Sequence, residues 1–281
     1  MAAKVHRAAS AEPQPRSTVL VQRMSWRDGR TATDEDEVAA EEPLELRLNG
    51  RAISVTMRTP GDDEALALGF LWGEGIVLDQ AEVIGTEQAA EHVVDVRVTA
   101  AVLERGGWQR NFYTASSCGV CGKASLSMIR APGGSVTPSA PIDIGALPGL
   151  AERLGARQAI FARTGGVHAA AWIEPQALGV RDLAEDVGRH NAVDKIVGRA
   201  FSSGRVPLSG QLLAVSGRAG FELVQKAIAG GFAALAAVGA PSSLAIALAE
   251  ERGLGLIGFL RERGFNIYAR PERFFWQGRS K

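Results

Sequence analysis

Cysteine is nearly absent from this chain. Its 281 residues include two cysteines, which stand in the segment Ser116-Ser117-Cys118-Gly119-Val120-Cys121-Gly122-Lys123. A protein with one such pair is not built on a disulfide framework. The pair therefore needs a chemical explanation, and three are open: metal ligation, dithiol redox chemistry, or a nucleophilic sulfur that carries a group.

An excess of charge and a long apolar run are also lacking. The 31 basic residues balance the 31 acidic ones, so no net field directs the protein toward nucleic acid or an anionic membrane. No apolar run approaches the roughly 20 residues that span a bilayer. The N-terminal stretch holds Lys4, Arg7 and Arg16 and no continuous apolar region, so we expect no secretory signal. We therefore expect a cytoplasmic protein without nucleic-acid or membrane partners.

The N-terminal part predicts a tail and a small domain. Residues 1–36 are rich in Ala, Pro, Arg and acids and are predicted to form a mobile tail. Apolar and polar residues then alternate on both sides of Asn49-Gly50, which favours a type I′ hairpin turn. An acidic helix start and an alternating strand over 93–98 follow. We predict a small α+β domain over residues 37–112.

The C-terminal part predicts a layered α/β domain over residues 138–273. Buried strand patterns, such as residues 212–215, alternate there with apolar helix faces, which indicates helices on both faces of one sheet. In such sheets ligands bind in the loops at the carboxyl ends of the strands. Residues 113–137 are predicted to form a flexible loop that carries the cysteines, and residues 274–281 a C-terminal tail.

Polar residues collect at two predicted helix starts. The segments are Glu185-Asp186-Val187-Gly188-Arg189-His190-Asn191 and Ser216-Gly217-Arg218-Ala219-Gly220. Free N–H groups and the helix dipole at such starts favour an anion, so Arg189, His190 and Arg218 are candidate phosphate contacts. The alternative is a plain helix cap with a solvated arginine. Asp186 and Asp194 are expected to hold the arginines.

The setting of the cysteine pair bears on its chemistry. Structural zinc needs four ligands, and the second ligand pair at fixed spacing is missing from the sequence, so no metal is predicted. Thioredoxin-like pairs begin a long helix after a strand. This pair instead lies in a Ser/Gly-rich segment between two domains, beside Lys123, which favours the thiolate. The pattern is typical of a nucleophile that visits partners.

Several further segments accompany the cysteine segment in order. They are Met57-Arg58-Thr59-Pro60-Gly61, Thr164-Gly165-Gly166-Val167-His168-Ala169-Ala170, Glu185 through Lys195, Ser216-Gly217-Arg218 through Lys226, and Gly258-Phe259-Leu260-Arg261 through Tyr268. Together these segments resemble the FdhD family of formate dehydrogenase accessory sulfurtransferases, over residues 40–273.

The resemblance implies a cytoplasmic, homodimeric sulfur carrier. Such a protein takes persulfide sulfur from a cysteine desulfurase and delivers it to the molybdenum cofactor, Mo-bis(molybdopterin guanine dinucleotide), before the cofactor enters formate dehydrogenase. By matching position Cys118 would carry the persulfide, and Cys121 would assist or resolve it. The cofactor is a bound substrate, and a guanine nucleotide would act as its mimic.

The resemblance also implies a cofactor-binding segment near the C-terminus. It falls on Phe265, Asn266, Ile267, Tyr268, Ala269 and Arg270. Many relatives have a hydroxyl residue followed by His or Gly where this chain has Ala269-Arg270. Arg270 is nevertheless well suited to a phosphate.

The family's larger domain resembles the cytidine-deaminase fold. Zinc-dependent deamination needs a catalytic glutamate and paired cysteines at successive helix starts. This chain has neither at His190-Asn191-Ala192 or at Ser216-Gly217-Arg218-Ala219, so we expect no deaminase activity and no zinc. An alternative from another class is a chaperone that binds the molybdenum cofactor without moving sulfur, and Cys118 discriminates between the two functions.

Overall fold

The structure, a computed structural model, describes residues 17–106, 112–113, 134–145, 147–175 and 179–276. Its strands are β1 (Thr18–Arg27), β2 (Arg30–Ala39), β3 (Glu42–Leu48), β4 (Arg51–Arg58), β5 (Val83–Ala90), β6 (Val93–Val98), β7 (Phe112–Tyr113), β8 (Ile142–Asp143), β9 (His168–Glu174), β10 (Gly179–Asp186), β11 (Leu212–Val215), β12 (Ala234–Ala237), β13 (Gly255–Arg261), β14 (Gly264–Ala269) and β15 (Phe274–Phe275). Its helices are α1 (Asp63–Gly73), α2 (Ala100–Arg105), α3 (Leu150–Gly155), α4 (Ala159–Thr164), α5 (Arg189–Ser202), α6 (Phe221–Ala229) and α7 (Ser243–Arg252).

A five-stranded sheet of order β5-β6-β3-β4-β7 forms the N-terminal unit. The predicted hairpin is confirmed as β3 and β4, because Asn49 and Gly50 adopt φ values of 47° and 80° at the turn. Leu44, Leu46 and Leu48 point into a core that α1 covers. The strand predicted over 93–98 is confirmed as β6.

A two-stranded hairpin, β1 and β2, occupies residues 18–39. The prediction of a mobile tail over residues 1–36 is therefore wrong for residues 18–36, and residues 1–16 lie outside the described part. Asp28 and Gly29 adopt φ values of 51° and 78° at the turn. Asp-Gly is a hairpin signal of the same kind as Asn-Gly, so this turn was predictable from the sequence.

A six-stranded sheet of order β10-β9-β11-β12-β13-β14 forms the C-terminal unit. Its central strands β11, β12 and β13 are parallel, and the strands outside them are antiparallel to their neighbours. Trp172 and Leu213 face the cluster that includes α5, α6 and α7, whereas Ile173 and Leu212 face the cluster that includes α3. The prediction of a mixed α/β fold with helices on both faces is confirmed, and the likeness to cytidine deaminase stays a prediction.

Helices α1 and α5 join the two units by a close crossing. A Cβ atom on Gly198 would lie 1.7 Å from the Ala65 carbonyl oxygen, and one on Gly69 would lie 1.9 Å from that of Asp194. The crossing therefore requires glycine at both positions, and it fixes α5 against the N-terminal unit. Within the described residues, no helix is both long and apolar enough to cross a membrane.

Candidate functional site

The carboxyl ends of the parallel strands meet in a surface that we call the carboxyl edge. The Ser216 hydroxyl oxygen, just after β11, accepts a hydrogen bond from the backbone of Ala169 in β9 (2.9 Å). Gly239, after β12, donates to the Gly217 carbonyl (2.8 Å), and its own carbonyl accepts from Phe259 near the end of β13 (3.1 Å). Four strand ends are thus linked by two backbone hydrogen bonds and one hydrogen bond to a serine hydroxyl.

Two glycines lie beside the arginines on the carboxyl edge. The Arg189 Cδ and the His168 Nδ1 both lie 3.7 Å from the place where a Cβ on Gly217 would stand. A Cβ on Gly239 would lie 2.8 Å from the Arg218 Cα. Arg218 is exposed, and Arg189 is half-buried at the first position of α5. The structure therefore brings the two predicted phosphate contacts to one edge.

The start of α5 is fastened by the fully buried carboxylate of Asp186. This carboxylate accepts hydrogen bonds from the backbone of Gly188 (2.8 Å) and the side chain of Asn191 (3.0 Å). It also forms an ion pair with Lys195 at 2.8 Å. Burial raises the pKa of Asp186, and Lys195 opposes that rise. The expectation that Asp186 holds an arginine is wrong, because Lys195, nine positions later in α5, fills that place.

The N-terminal unit contributes Thr59 and Met57 to the same helix start. Lys195 donates to the Thr59 carbonyl (2.9 Å), and Asn191 donates to the Met57 carbonyl (2.8 Å). The Thr59 hydroxyl oxygen accepts from the backbone of Val187 (3.1 Å). A segment more than 120 positions earlier in the chain thus sets the position of α5.

Two acid–base pairs connect α5 to α6. The His190 Nε2 lies 2.7 Å from a carboxylate oxygen of Glu222 in the first turn of α6. One turn further along α6, buried Lys226 donates to both oxygens of buried Asp194, at 2.8 and 2.9 Å. Burial raises the pKa of Asp194 to about 6, against the opposing effect of Lys226. Asp194 was also expected to hold an arginine, and it pairs with this lysine instead.

His168 stands at the start of β9 on the carboxyl edge. Its pKa is lowered, first by burial and then by the electrostatic effect of Arg189 and His190. Its imidazole is therefore neutral at physiological pH, and it adds no charge near Arg189. A neutral ring can accept or donate one hydrogen bond at each nitrogen.

The six residues of the predicted cofactor-binding segment do not share one environment. Asn266 and Ile267 are exposed in β14, whereas Phe265 packs against the cluster on the α3 face. Ala269 is fully buried. Arg270 follows β14 at the opposite end of the sheet, where its backbone donates to Glu250 and its side chain pairs with Glu272. Four residues of strand, about 13 Å, separate it from Asn266.

Tyr268 joins the carboxyl edge through its ring. Its Cε2 lies 2.9 Å from the place that a Cβ on Gly258 would occupy, so the ring covers the backbone of β13. The predicted site residues Arg189, His190, Arg218, Asn266 and Tyr268 thus border this half of the sheet.

The cysteines Cys118 and Cys121 lie outside the described residues. The described residues nearest to them in the sequence form β7, which pairs with β4 through Ser54–Phe112 and Val55–Tyr113. Cys118 is five residues beyond Tyr113 in the sequence, a span of at most about 18 Å. Among the described residues, no group of three or more His, Cys, Asp or Glu side chains is placed to hold a metal ion.

Comparison with known proteins places the chain in a family. Residues 39–275 match the model of the FdhD/NarQ family. The chain belongs to the FdhD/NarQ family. A relative from Streptomyces avermitilis, named sulfur carrier protein FdhD, is 50% identical over 260 residues, which cover 88% of this chain and 92% of the relative. A relative of the same name from Mycobacterium tuberculosis is 45% identical over 261 residues, or 86% of this chain and 92% of the relative.

The fold of this chain is also similar to that of a solved structure. A candidate formate dehydrogenase accessory protein from Desulfotalea psychrophila superposes with a TM-score of 0.74 and 22% identity, covering 92% of this chain and all of the other. That likeness supports the fold. The predicted membership of the FdhD family is confirmed.

Proposed function

We propose that this protein is a cytoplasmic, homodimeric sulfur carrier for formate dehydrogenase. It accepts persulfide sulfur from a cysteine desulfurase on Cys118 and transfers it to Mo-bis(molybdopterin guanine dinucleotide). The observation that carries the proposal is the 50% identity, over 88% of the chain, to a protein named sulfur carrier protein FdhD. The restriction of cysteine to positions 118 and 121 also supports it.

The first step is a thiol exchange at Cys118. The Cys118 thiolate attacks the outer sulfur of the donor's cysteine persulfide, and the donor's S–S bond breaks. The donor leaves as a thiolate, and the outer sulfur with its proton becomes Cys118-S-SH. The adjacent basic side chain of Lys123 favours the attacking thiolate.

The second step hands the outer sulfur to molybdenum, which is the substrate. The S–S bond breaks, Cys118 leaves as a thiolate, and the proton of the outer sulfur passes to solvent. Mo(IV) gives up the two electrons that reduce this sulfur to a sulfido ligand, so the step needs no other reductant. Cys121 assists by displacing or resolving sulfur that remains on Cys118.

The carboxyl edge is the surface on which the cofactor binds in this proposal. Arg189 and Arg218 offer two positive charges near helix starts, which suits the phosphates of the guanine dinucleotide arms. β4 connects the strand that precedes the cysteines to the carboxyl edge. It pairs with β7, and its Met57 carbonyl accepts a hydrogen bond from Asn191 in α5. The short span from Tyr113 to Cys118 is compatible with a sulfur that reaches this edge.

The proposal is tested by Cys118→Ala. We expect cells with this variant as their only copy to lose formate dehydrogenase activity, while the purified variant still binds guanosine diphosphate. Full activity in cells would leave the protein as a cofactor chaperone without sulfur transfer. One tightly bound zinc ion per chain in elemental analysis would contradict free thiols at Cys118 and Cys121.

A further inference from the structure

Phe259 combines an exposed aromatic ring with a left-handed backbone. It has a φ of 53° and 42% exposure near the end of β13. A bulky residue rarely adopts positive φ, and such strain persists where the surroundings impose it, often at a ligand site. Burial in the core does not explain the conformation, because Phe259 is an exposed residue.

The surroundings that impose this backbone are visible. The ladder between β13 and β14 pairs Gly258 with Asn266 and Arg261 with Gly264, and it is irregular between these pairs. The Phe259 N–H instead donates to the Gly239 carbonyl at 3.1 Å. A bulge of this kind re-aims a side chain, and bulges are frequent beside active sites.

The bulge directs Phe259 toward Tyr268. The ring centroids are 6.4 Å apart, with 44° between the ring planes. These two rings already contact each other, so a third flat ring fits on their exposed surface and not between them. The Asn266 amide lies beside the pair, 3.3 Å from the Tyr268 hydroxyl. It provides hydrogen-bonding groups at the rim.

One glycine separates the aromatic pair from an arginine. The Gly239 carbonyl holds Phe259, and the other side of Gly239 packs against the backbone of Arg218. An aromatic surface and an arginine thus flank the same loop. A nucleotide presents a flat base and a phosphate in the same way.

We propose that Phe259, with Tyr268, is the stacking surface for the guanine ring of the nucleotide arm whose phosphates lie at Arg218. The inference rests on the proposed function, since it names the part of the cofactor that this half of the carboxyl edge recognises. Base stacking on an aromatic side chain is tolerant of ring substituents, so the Asn266 amide supplies the hydrogen bonds that distinguish the base.

The test compares two variants by calorimetric titration with guanosine diphosphate and with inorganic pyrophosphate. Phe259→Leu keeps an apolar side chain but removes the aromatic face, and Phe259→Tyr keeps that face. We expect Phe259→Leu to weaken guanosine diphosphate binding about tenfold. Phe259→Tyr is expected to bind it like the wild type, and neither variant should change the affinity for pyrophosphate. Phe275→Leu, at a phenylalanine with 39% exposure in β15, is the matched control.

The outcomes separate the two proposals. Unchanged guanosine diphosphate binding in Phe259→Leu overturns the stacking surface and leaves nucleotide binding at the carboxyl edge intact. Equal losses for guanosine diphosphate and pyrophosphate in Phe259→Leu also overturn it, because they indicate a structural role. A wild-type protein that binds no guanosine diphosphate overturns both the stacking surface and the proposed nucleotide site.

Discussion

Substitutions in the buried pair of Asp194 and Lys226 test how α5 and α6, the two helices that begin at the carboxyl edge, are held together. Lys226→Met leaves a buried carboxylate without its partner, and Asp194→Asn leaves a buried ammonium group. Removing one partner of such a pair costs about 3–5 kcal/mol, and we expect each single variant to lose that much stability at pH 7. The double variant Asp194→Leu/Lys226→Met removes both charges, so it should lose less than either single variant.

The pH dependence separates the two single variants. Burial already raises the pKa of Asp194 from 3.8 to about 6 beside Lys226, and the loss of that cation raises it further. An acid whose folded pKa is above its unfolded value contributes most stability at low pH and loses it as pH rises through the folded pKa. Between pH 7 and pH 5, Lys226→Met should therefore recover stability relative to Asp194→Asn, which has no carboxyl group at this position.

Urea denaturation followed by circular dichroism at both pH values measures these free energies of unfolding. The reasoning is refuted if the single variants lie within about 1 kcal/mol of the wild type. It is also refuted if the loss in the double variant equals the sum of the two single losses, because the charges would then act independently.

Two further predictions concern the carboxyl edge. Arg189→Ala and Arg218→Ala should each weaken guanosine diphosphate binding about tenfold in calorimetric titrations, whereas Arg270→Ala, at the opposite end of the sheet, should not; the reverse pattern would place the phosphates at Arg270. The pKa of His168 is lowered from 6.5 by burial and by nearby positive charge, so the stability it contributes is present above pH 6.5 and is lost as pH falls through its lower folded pKa. Wild type should therefore lose more stability than His168→Asn between pH 7.5 and pH 5 in urea denaturation, and equal losses would contradict the lowered pKa.

Local patterns made much of the fold predictable. The Asn49-Gly50 turn and the cap of α7, where the Ser242 hydroxyl accepts from Ala245, were predictable because each depends on neighbouring residues. Strands β10 and β14 were missed, because their pairing with strand neighbours determines their conformation more than their own alternation does. The turn at Asp28-Gly29 was missed although its signal is local.

The candidate site was predictable in part. Arg189 and Arg218 were expected at strand ends of one sheet, and topology alone brings such loops together. The partners of the acids were not predictable, because Lys226 reaches Asp194 across 32 positions and the choice between lysine and arginine depends on packing depth. Phe259 was seen as part of a family segment, but its left-handed backbone follows from a bulge that the sequence does not reveal.

The most direct measurement of the central claim is the mass of the cysteine peptide after incubation with a cysteine desulfurase and cysteine. Trypsin releases both cysteines in one peptide, between Arg110 and Lys123, so Cys118→Ala and Cys121→Ala are needed to place the sulfur. We predict one added sulfur atom, removable by a thiol reductant, on the wild type and on Cys121→Ala, and none on Cys118→Ala. A wild-type peptide without added sulfur, or equal addition to Cys118→Ala, would contradict a persulfide carried by Cys118.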